Sequence, residues 1–467
     1  LVKTLLRGGA VRPSTREQVS WLATWSLAQV LLVGAPTFLR AQRFCFSNFD
    51  LGIYSQALAH LSWRTPNPWL SGRQLFLFND HLDPVLALVA PFTRLAPAVQ
   101  VGLVAESLFM VLALLPLLVL ARAGRLSRRA WWLLGSLQAL HVGVTHALGF
   151  PFHPTTWAAL PMAALGAALL LERHGWALAW LVVLLTCKEE FPFVGLALGA
   201  GLLVAGPRRL GAAMLVTSGL WLLGVYGVRP YVLGPVMAYA AQPFDPNVSR
   251  LSPKALQGFG DLVVALVPVS VWLGVQRAPA PRAWLLALPL APLLGIRFLS
   301  AAWGDHYGAV VTSCAVMVLA ALLAGREVPR WLLAVTVALV LVGNERPLRA
   351  LWADLRADVA SQSPGCATMP GRVEAVRSAL ELARALPGPL LVGGNLLPWL
   401  AERGDVFAVD GPAPAQLNPA TILLEKPPRG DRWAVTNERS LAVIAEARAK
   451  AVRVLQDDAF VFLAVLR

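Results

Sequence analysis

Charge is scarce in this chain. Charged residues make up 14% of its 467 positions, against about 25% in soluble globular proteins. Acids are scarcer still, 26 against 40 Lys and Arg. A soluble fold throughout is therefore a poor reading. Cysteine is nearly absent: Cys45, Cys187, Cys314 and Cys366 form no CxxC pair and no ligand spacing, so the sequence predicts neither a disulfide framework nor a cysteine metal site. Phosphate-loop motifs are missing too. The VGGN at 392–395 lacks the GxGxxG and GxxxxGK[ST] patterns and reads as an ordinary turn between strand and helix. The first apolar segment, 21–39, lacks a small-residue cleavage site behind its basic flank, which predicts an uncleaved first span. The formal charge of +14 is also uneven. Residues 1–348 hold 26 Lys/Arg and 13 Asp/Glu, and residues 349–467 hold 14 and 13. The excess lies mostly in short loops between apolar runs, where a positive-inside bias puts it, so no nucleic-acid partner is expected.

Hydrophobicity is abundant, with 57% apolar residues and 17 tryptophans. The apolar runs recur near membrane-spanning length without strand alternation, which leaves helices as the spanning elements. The expected fold is an all-α polytopic membrane protein. Its eleven spans fall at 21–39, 101–121, 131–150, 157–171, 176–190, 192–206, 210–228, 261–276, 283–299, 308–325 and 331–346. A cytoplasmic N-terminus then places the arginines at 122–129, 173, 208–209, 277–282 and 326–330 inside. The segment 85–98, with two prolines and an arginine, reads as re-entrant or interfacial. Composition changes near 349. Residues 1–348 form the expected membrane domain, with a first outer loop at 40–100, and 349–467 a small extracytoplasmic α/β domain. Helices are expected at Val376–Leu386, Leu396–Arg403 and Glu438–Ala451. Strands are expected at Pro389–Val392, Val406–Val409, Thr421–Leu424 and Phe460–Leu466.

With that topology the notable polar residues gather on the outer face. They are Asp50; Asp80, His81 and Asp83; His153; Lys188, Glu189 and Glu190; Asp305, His306 and Tyr307; and Arg229, Asp245, Arg250 and Lys254 in the 229–260 loop. Ionisable groups beside a membrane line polar cavities more often than they face lipid. Each has a structural alternative. Asp50 is either a helix N-cap or a catalytic or metal-binding carboxylate. Asp80-His81-x-Asp83 fits a divalent-cation site or a turn before Pro84. Glu106, His141 and His146 read as interhelical hydrogen-bond partners, and the tryptophans as an aromatic belt.

The succession NFDLGIYSQAL, NDHLDPVLALVAPFTRL, GFPFHPTTWAALPM, LLTCKEEFPFVGLALG and DHYGA resembles a bacterial and archaeal family of predicted membrane proteins, catalogued as domain of unknown function 2079. That family in turn resembles the GT-C superfamily of membrane glycosyltransferases. The resemblance implies a bacterial cytoplasmic-membrane enzyme of GT-C-like fold that transfers a sugar, with inversion, from a polyprenyl-phosphate-linked donor at the outer face. In that reading Asp50, Glu189 and Glu190 are catalytic, with Asp50 as general base. Lys188, Arg229, His306 and Tyr307 bind substrate, and His81, Asp83 and His153 hold a divalent cation, Mg or Mn. Glu190 stands where the family more often has Asp, and Asp83 where it more often has Ser. Two other classes stay open: a multi-pass transporter or flippase of lipid-linked substrates, and a non-catalytic envelope assembly scaffold.

Overall fold

The computed structural model describes residues 13–46, 49–150, 152–234, 259–260, 263–275, 283–300, 305–353, 369–409, 419–426 and 437–466. Asp245, Arg250, Lys254 and the side chain of Asp305 lie outside the described residues. The chain runs through α1 (Thr15–Gln42), α2 (Phe49–His60), α3 (Ala98–Arg122), α4 (Arg128–Leu140), α5 (Val142–Gly149), α6 (Pro154–Leu170), α7 (His174–Leu185), α8 (Pro192–Ala205) and α9 (Arg208–Leu233). It continues through α10 (Val267–Val275), α11 (Ala283–Ile296), α12 (Gly308–Leu323), α13 (Arg330–Gly343) and α14 (Glu345–Ala353). The helix α1 opens on a capping box: the Ser14 hydroxyl accepts from Glu17 N at 3.3 Å, and the Glu17 carboxylate accepts from Ser14 N at 2.9 Å.

The expectation of eleven spans is overturned. Among the described residues three helices are long and apolar enough to cross a membrane: α1 with 28 residues, α3 with 25 and α9 with 26. The other apolar helices are of 10–17 residues. At 1.5 Å per residue these reach about 15–26 Å, short of about 30 Å of hydrocarbon. Apolar letters outrun helical hydrogen bonding here. The run 131–150 breaks at His141, whose ψ of 144° ends α4. The run 176–190 stops being helical after Leu185, and the run 283–299 turns at Leu288–Pro289. The 85–98 segment forms two short 3₁₀ turns, Pro84–Leu88 and Ala90–Arg94, each opening at a proline. The cysteine reading is corrected as well: Cys45 is disulfide-bonded, while Cys187 and Cys314 are free and buried.

A short hairpin, β1 (Trp69–Leu70) with β2 (Leu75–Phe76), follows α2. The C-terminal unit comprises α15 (Arg372–Ala385), β3 (Leu390–Val392), β4 (Val406–Ala408), β5 (Thr421–Glu425), α16 (Asn437–Lys450), β6 (Arg453–Asp457) and β7 (Val461–Val465). The strands form one sheet in the order β4-β3-β5-β7-β6. Parallel pairs flank β3, and β7 runs antiparallel to both its neighbours. The central β5 is buried at all five positions, which suits its unbroken TILLE run. This unit is not strung on a linker. Leu51, Leu58 and Leu70 of the first loop, Val99 and Trp157 of the helical body, and Val376, Leu397, Val406 and Leu463 of the sheet unit share one buried cluster.

Candidate functional site

Helix α2 has two occupied faces, set by its i, i+4 spacing. Asp50 and Tyr54 face a polar centre, and Gly52 and Gln56 face the sheet unit. Asp50 lies in the first turn of a helix that already begins at Phe49, rather than capping it. Tyr54, which the sequence reading does not single out, is the hub of the centre. Its hydroxyl donates to Asp83 Oδ2 at 3.0 Å and lies 3.3 Å from His153 Nε2. His153 Nδ1 accepts from Thr155 N at 3.2 Å, so a neutral His153 carries its proton on Nε2 and donates it to Tyr54. The result is a directed chain, imidazole to phenol to carboxylate, with all three side chains buried.

A second thread runs beside it. His81 Nδ1 lies 2.9 Å from Glu189 Oε1, and Leu82 N donates to Glu189 Oε2 at 3.3 Å. Lys188 donates to the Tyr307 hydroxyl at 3.2 Å and lies over its ring. His306 stacks on His153 with ring centroids 3.7 Å apart. Arg73 pairs with Asp80 at 3.2 Å, and Arg229, also buried, donates to the Asp80 carbonyl at 3.3 Å. Sequence segments far apart thus meet around Tyr54, and Asp50, His81, Asp83, His153, Lys188, Glu189, His306 and Tyr307 share that neighbourhood. Glu190 contributes through its charge near Lys188.

Burial and neighbouring charge set the protonation here. Burial above all raises the Asp83 carboxyl to about 7, against the pull of His81 and Lys188. Asp50 is raised for the same first reason. For His81, burial and Lys188 oppose the charged ring, but Glu189 and Asp80 outweigh them and its pKa rises. Burial opposes the Glu189 charge too, yet His81 and Lys188 hold that carboxyl below its ordinary range. His81 and Glu189 therefore form an ion pair, and Asp83 is the group poised to titrate near neutrality.

Two neighbouring polar residues are structural. Glu106, inside α3, accepts from the backbone N–H groups of Phe152 and His153 at 3.1 and 3.2 Å. Those contacts hold Phe152 at a φ of 39°, a conformation few non-glycine residues adopt. The His141 Nδ1 accepts from Gly143 N at 3.2 Å and lies 2.9 Å from Thr312 Oγ1, tying α5 to α12.

The opposite face of α2 is an interface. Gln56 Nε2 donates to Ser71 Oγ at 2.8 Å, and Ser71 donates in turn to the Val406 carbonyl at 2.5 Å. Leu397 fills the space over Gly52 and Gly72, where an added Cβ would stand 2.6 and 2.7 Å from its Cδ2. Beyond the carboxyl ends of β3 and β5, the switch point where doubly wound sheets bind ligands, sits a protein group instead. Arg372 pairs with Glu425 there at 2.5 Å, each side chain 2% exposed. The same guanidinium donates to the Arg43 and Phe44 carbonyls at 2.9 and 3.0 Å. Asn395, of the VGGN turn, donates to the other Glu425 oxygen at 2.5 Å. Phe44 packs edge-on against Trp399.

The catalytic reading is corrected by these arrangements. Among the described residues no group of three or more His, Cys, Asp or Glu side chains is placed to hold a metal ion. His81 is engaged by Glu189, and Asp83 and His153 are joined through Tyr54. The many-span body of a GT-C glycosyltransferase is also absent from the described helices. Enzyme, sugar transfer and polyprenyl-phosphate donor therefore lose their support together. No curated protein matches the chain. Residues 40–233, which carry α2, the polar centre from Asp50 to Glu189 and all of α3 and α9, match the family described as "Predicted membrane protein (DUF2079)".

Proposed function

We propose that this chain is a membrane-anchored, non-catalytic scaffold that holds its sheet unit in a fixed position over the membrane surface. The observation that carries the reading is the Arg372–Glu425 pair, which joins the end of β5 to the carbonyls just past α1. A buried ion pair bonded to a second element fixes an orientation better than it adds net stability. The rest of the α2 face agrees, since Gln56, Ser71 and Leu397 interlock where a flexible tether would leave water.

Three spans give a consistent topology. Arg16 at the start of α1, Arg122 at the end of α3 and Arg208 at the start of α9 lie on the inner side. The α1 end, Cys45, the polar centre and the docked sheet unit then lie outside. A disulfide at Cys45 suits an oxidising compartment. Transport fits less well, because Glu106, the acid within α3, is engaged by two backbone amides rather than open to a path.

The test is rescue in cells lacking the gene. Asp50→Asn, which keeps the fold, is expected to restore any envelope defect. Arg372→Ala, which loosens the sheet unit, is expected not to. The reverse pattern overturns the scaffold reading. Spin labels at Trp63→Cys and Glu381→Cys, both exposed positions, are expected to give one narrow distance distribution in nanodiscs.

A further inference from the structure

On the side opposite the docked sheet unit, two contiguous grooves of about 540 and 530 Å³ share His174 and Gly175. Glu172, Arg173 and Trp176 line the first, and Arg208 and Arg209 line the second. Three arginines thus stand against one acid. Three other arginines on this side are engaged: Arg122 donates to Gln18, Arg128 pairs with Glu17, and Arg129 donates to the Val328 carbonyl. Among the described residues, the Arg173, Arg208 and Arg209 side chains have no hydrogen-bond or ion-pair partner.

The position of the groove is informative. Arg208 is the first residue of α9, so the groove sits where a span enters the membrane. Its border on one side is apolar and exposed. Trp176 is 65% exposed and Val204 82%. Farther along α7 and α9, Val182, Val216 and Leu220 are exposed too. An amphipathic ligand matches both halves, its anion on the arginines and its chains along the apolar flank. A free anion leaves the apolar flank unused.

We propose that this groove is a headgroup site for an anionic phospholipid, the phosphodiester held by Arg173, Arg208 and Arg209 and the acyl chains laid against α7 and α9. Arginine suits a phosphodiester because its fork donates two parallel hydrogen bonds, and Trp176 suits the glycerol level of the interface. The proposal rests on the membrane-anchored reading above.

The test is native mass spectrometry of the full chain in neutral detergent, titrated separately with phosphatidylglycerol, phosphatidylcholine and inorganic phosphate. Wild type is expected to retain phosphatidylglycerol at least tenfold more tightly than phosphatidylcholine. The variant R208Q/R209Q is expected to lose about tenfold in that affinity, since each arginine near the surface attracts anionic lipid independently. Arg173→Gln gives a second, separate loss should the double variant fail to fold. Equal retention of the two lipids overturns the proposal, as does selectivity unchanged in both folded variants. Displacement of phosphatidylglycerol by equimolar phosphate overturns the lipid assignment. Carbonate extraction of membranes separates the two readings. Release of the chain overturns the anchored scaffold, whereas retention without lipid selectivity overturns only the groove.

Discussion

Replacing Arg372 by Ala is the sharpest perturbation of the docked arrangement. It removes a guanidinium that meets Glu425, the Arg43 carbonyl and the Phe44 carbonyl. Glu425, 2% exposed, keeps Asn395 as a side-chain donor but loses its charged partner. Breaking a buried pair from one side costs about 3–5 kcal/mol, because the remaining charge keeps its desolvation penalty. At 1.4 kcal/mol per factor of ten, the equilibrium between docked and released sheet unit shifts by about 10²–10³ or more. The double variant R372M/E425M removes the stranded charge. It leaves two carbonyls without the arginine, at about 1–3 kcal/mol each where water does not reach them, but the pair itself is often dispensable in such swaps. The double variant is therefore expected to be more stable than R372A, and the coupling between the sites to be large. Thermal unfolding and protease susceptibility of purified protein read both. Losses within 1 kcal/mol for R372A, or additivity of R372M and E425M, refute the claim that this pair locks the unit in place.

The remaining predictions concern α2 and its two faces. Gly52→Ala drives a Cβ into Leu397 and is expected to cost about 1–3 kcal/mol, with partial recovery in G52A/L397A; no recovery means that the cost lies elsewhere. Tyr54→Phe leaves Asp83 Oδ2 and His153 without their shared partner and is expected to cost about 1–3 kcal/mol by thermal unfolding. For Asp83, the folded-state value near 7 lies above the ordinary 3.8, so its contribution is fully present below about pH 4 and is lost as pH rises through 7. That difference of about three units is on the order of 4 kcal/mol. Wild type should therefore lose stability relative to Asp83→Asn between pH 4 and pH 7, and parallel pH profiles refute the burial argument.

Much of the sheet unit was legible in the sequence, because turn residues punctuate short apolar runs there. Helices expected at Val376–Leu386 and Glu438–Ala451 appear as Arg372–Ala385 and Asn437–Lys450, the one expected at Leu396–Arg403 is only a 3₁₀ turn at Leu397–Leu400, and the four expected strands appear within a residue or two of their bounds. The fifth, Arg453–Asp457, was missed because its RVLQD reads as an exposed edge with charge at both ends. The span count was not legible. Hydropathy reports which residues avoid water, and a helix buried inside a protein avoids it as well as a helix in lipid. The polar residues that meet around Tyr54 stand out in the sequence as ionisable groups between apolar runs, yet Tyr54 itself does not, since a tyrosine in an apolar helix shows no sign of the acid and imidazole that its hydroxyl will join. Arg372 was invisible for a related reason: nothing local marks an arginine whose acid lies 53 residues away.

The two faces of α2 are mechanically linked. A rigid helix that carries Asp50 and Tyr54 on one side and Gly52 and Gln56 on the other transmits displacement between them. Release of the sheet unit removes Leu397 from Gly52 and Val406 from Gln56, and the helix then gains freedom on the side that fixed its rotation. The Tyr54 hydroxyl sits 3.0 Å from Asp83 and 3.3 Å from His153, so a rotation that moves it by about 1 Å breaks both contacts under ordinary hydrogen-bond geometry. The Tyr54 contacts thus depend on the rotation of α2, whereas the His81–Glu189 and Lys188–Tyr307 contacts involve no residue of that helix.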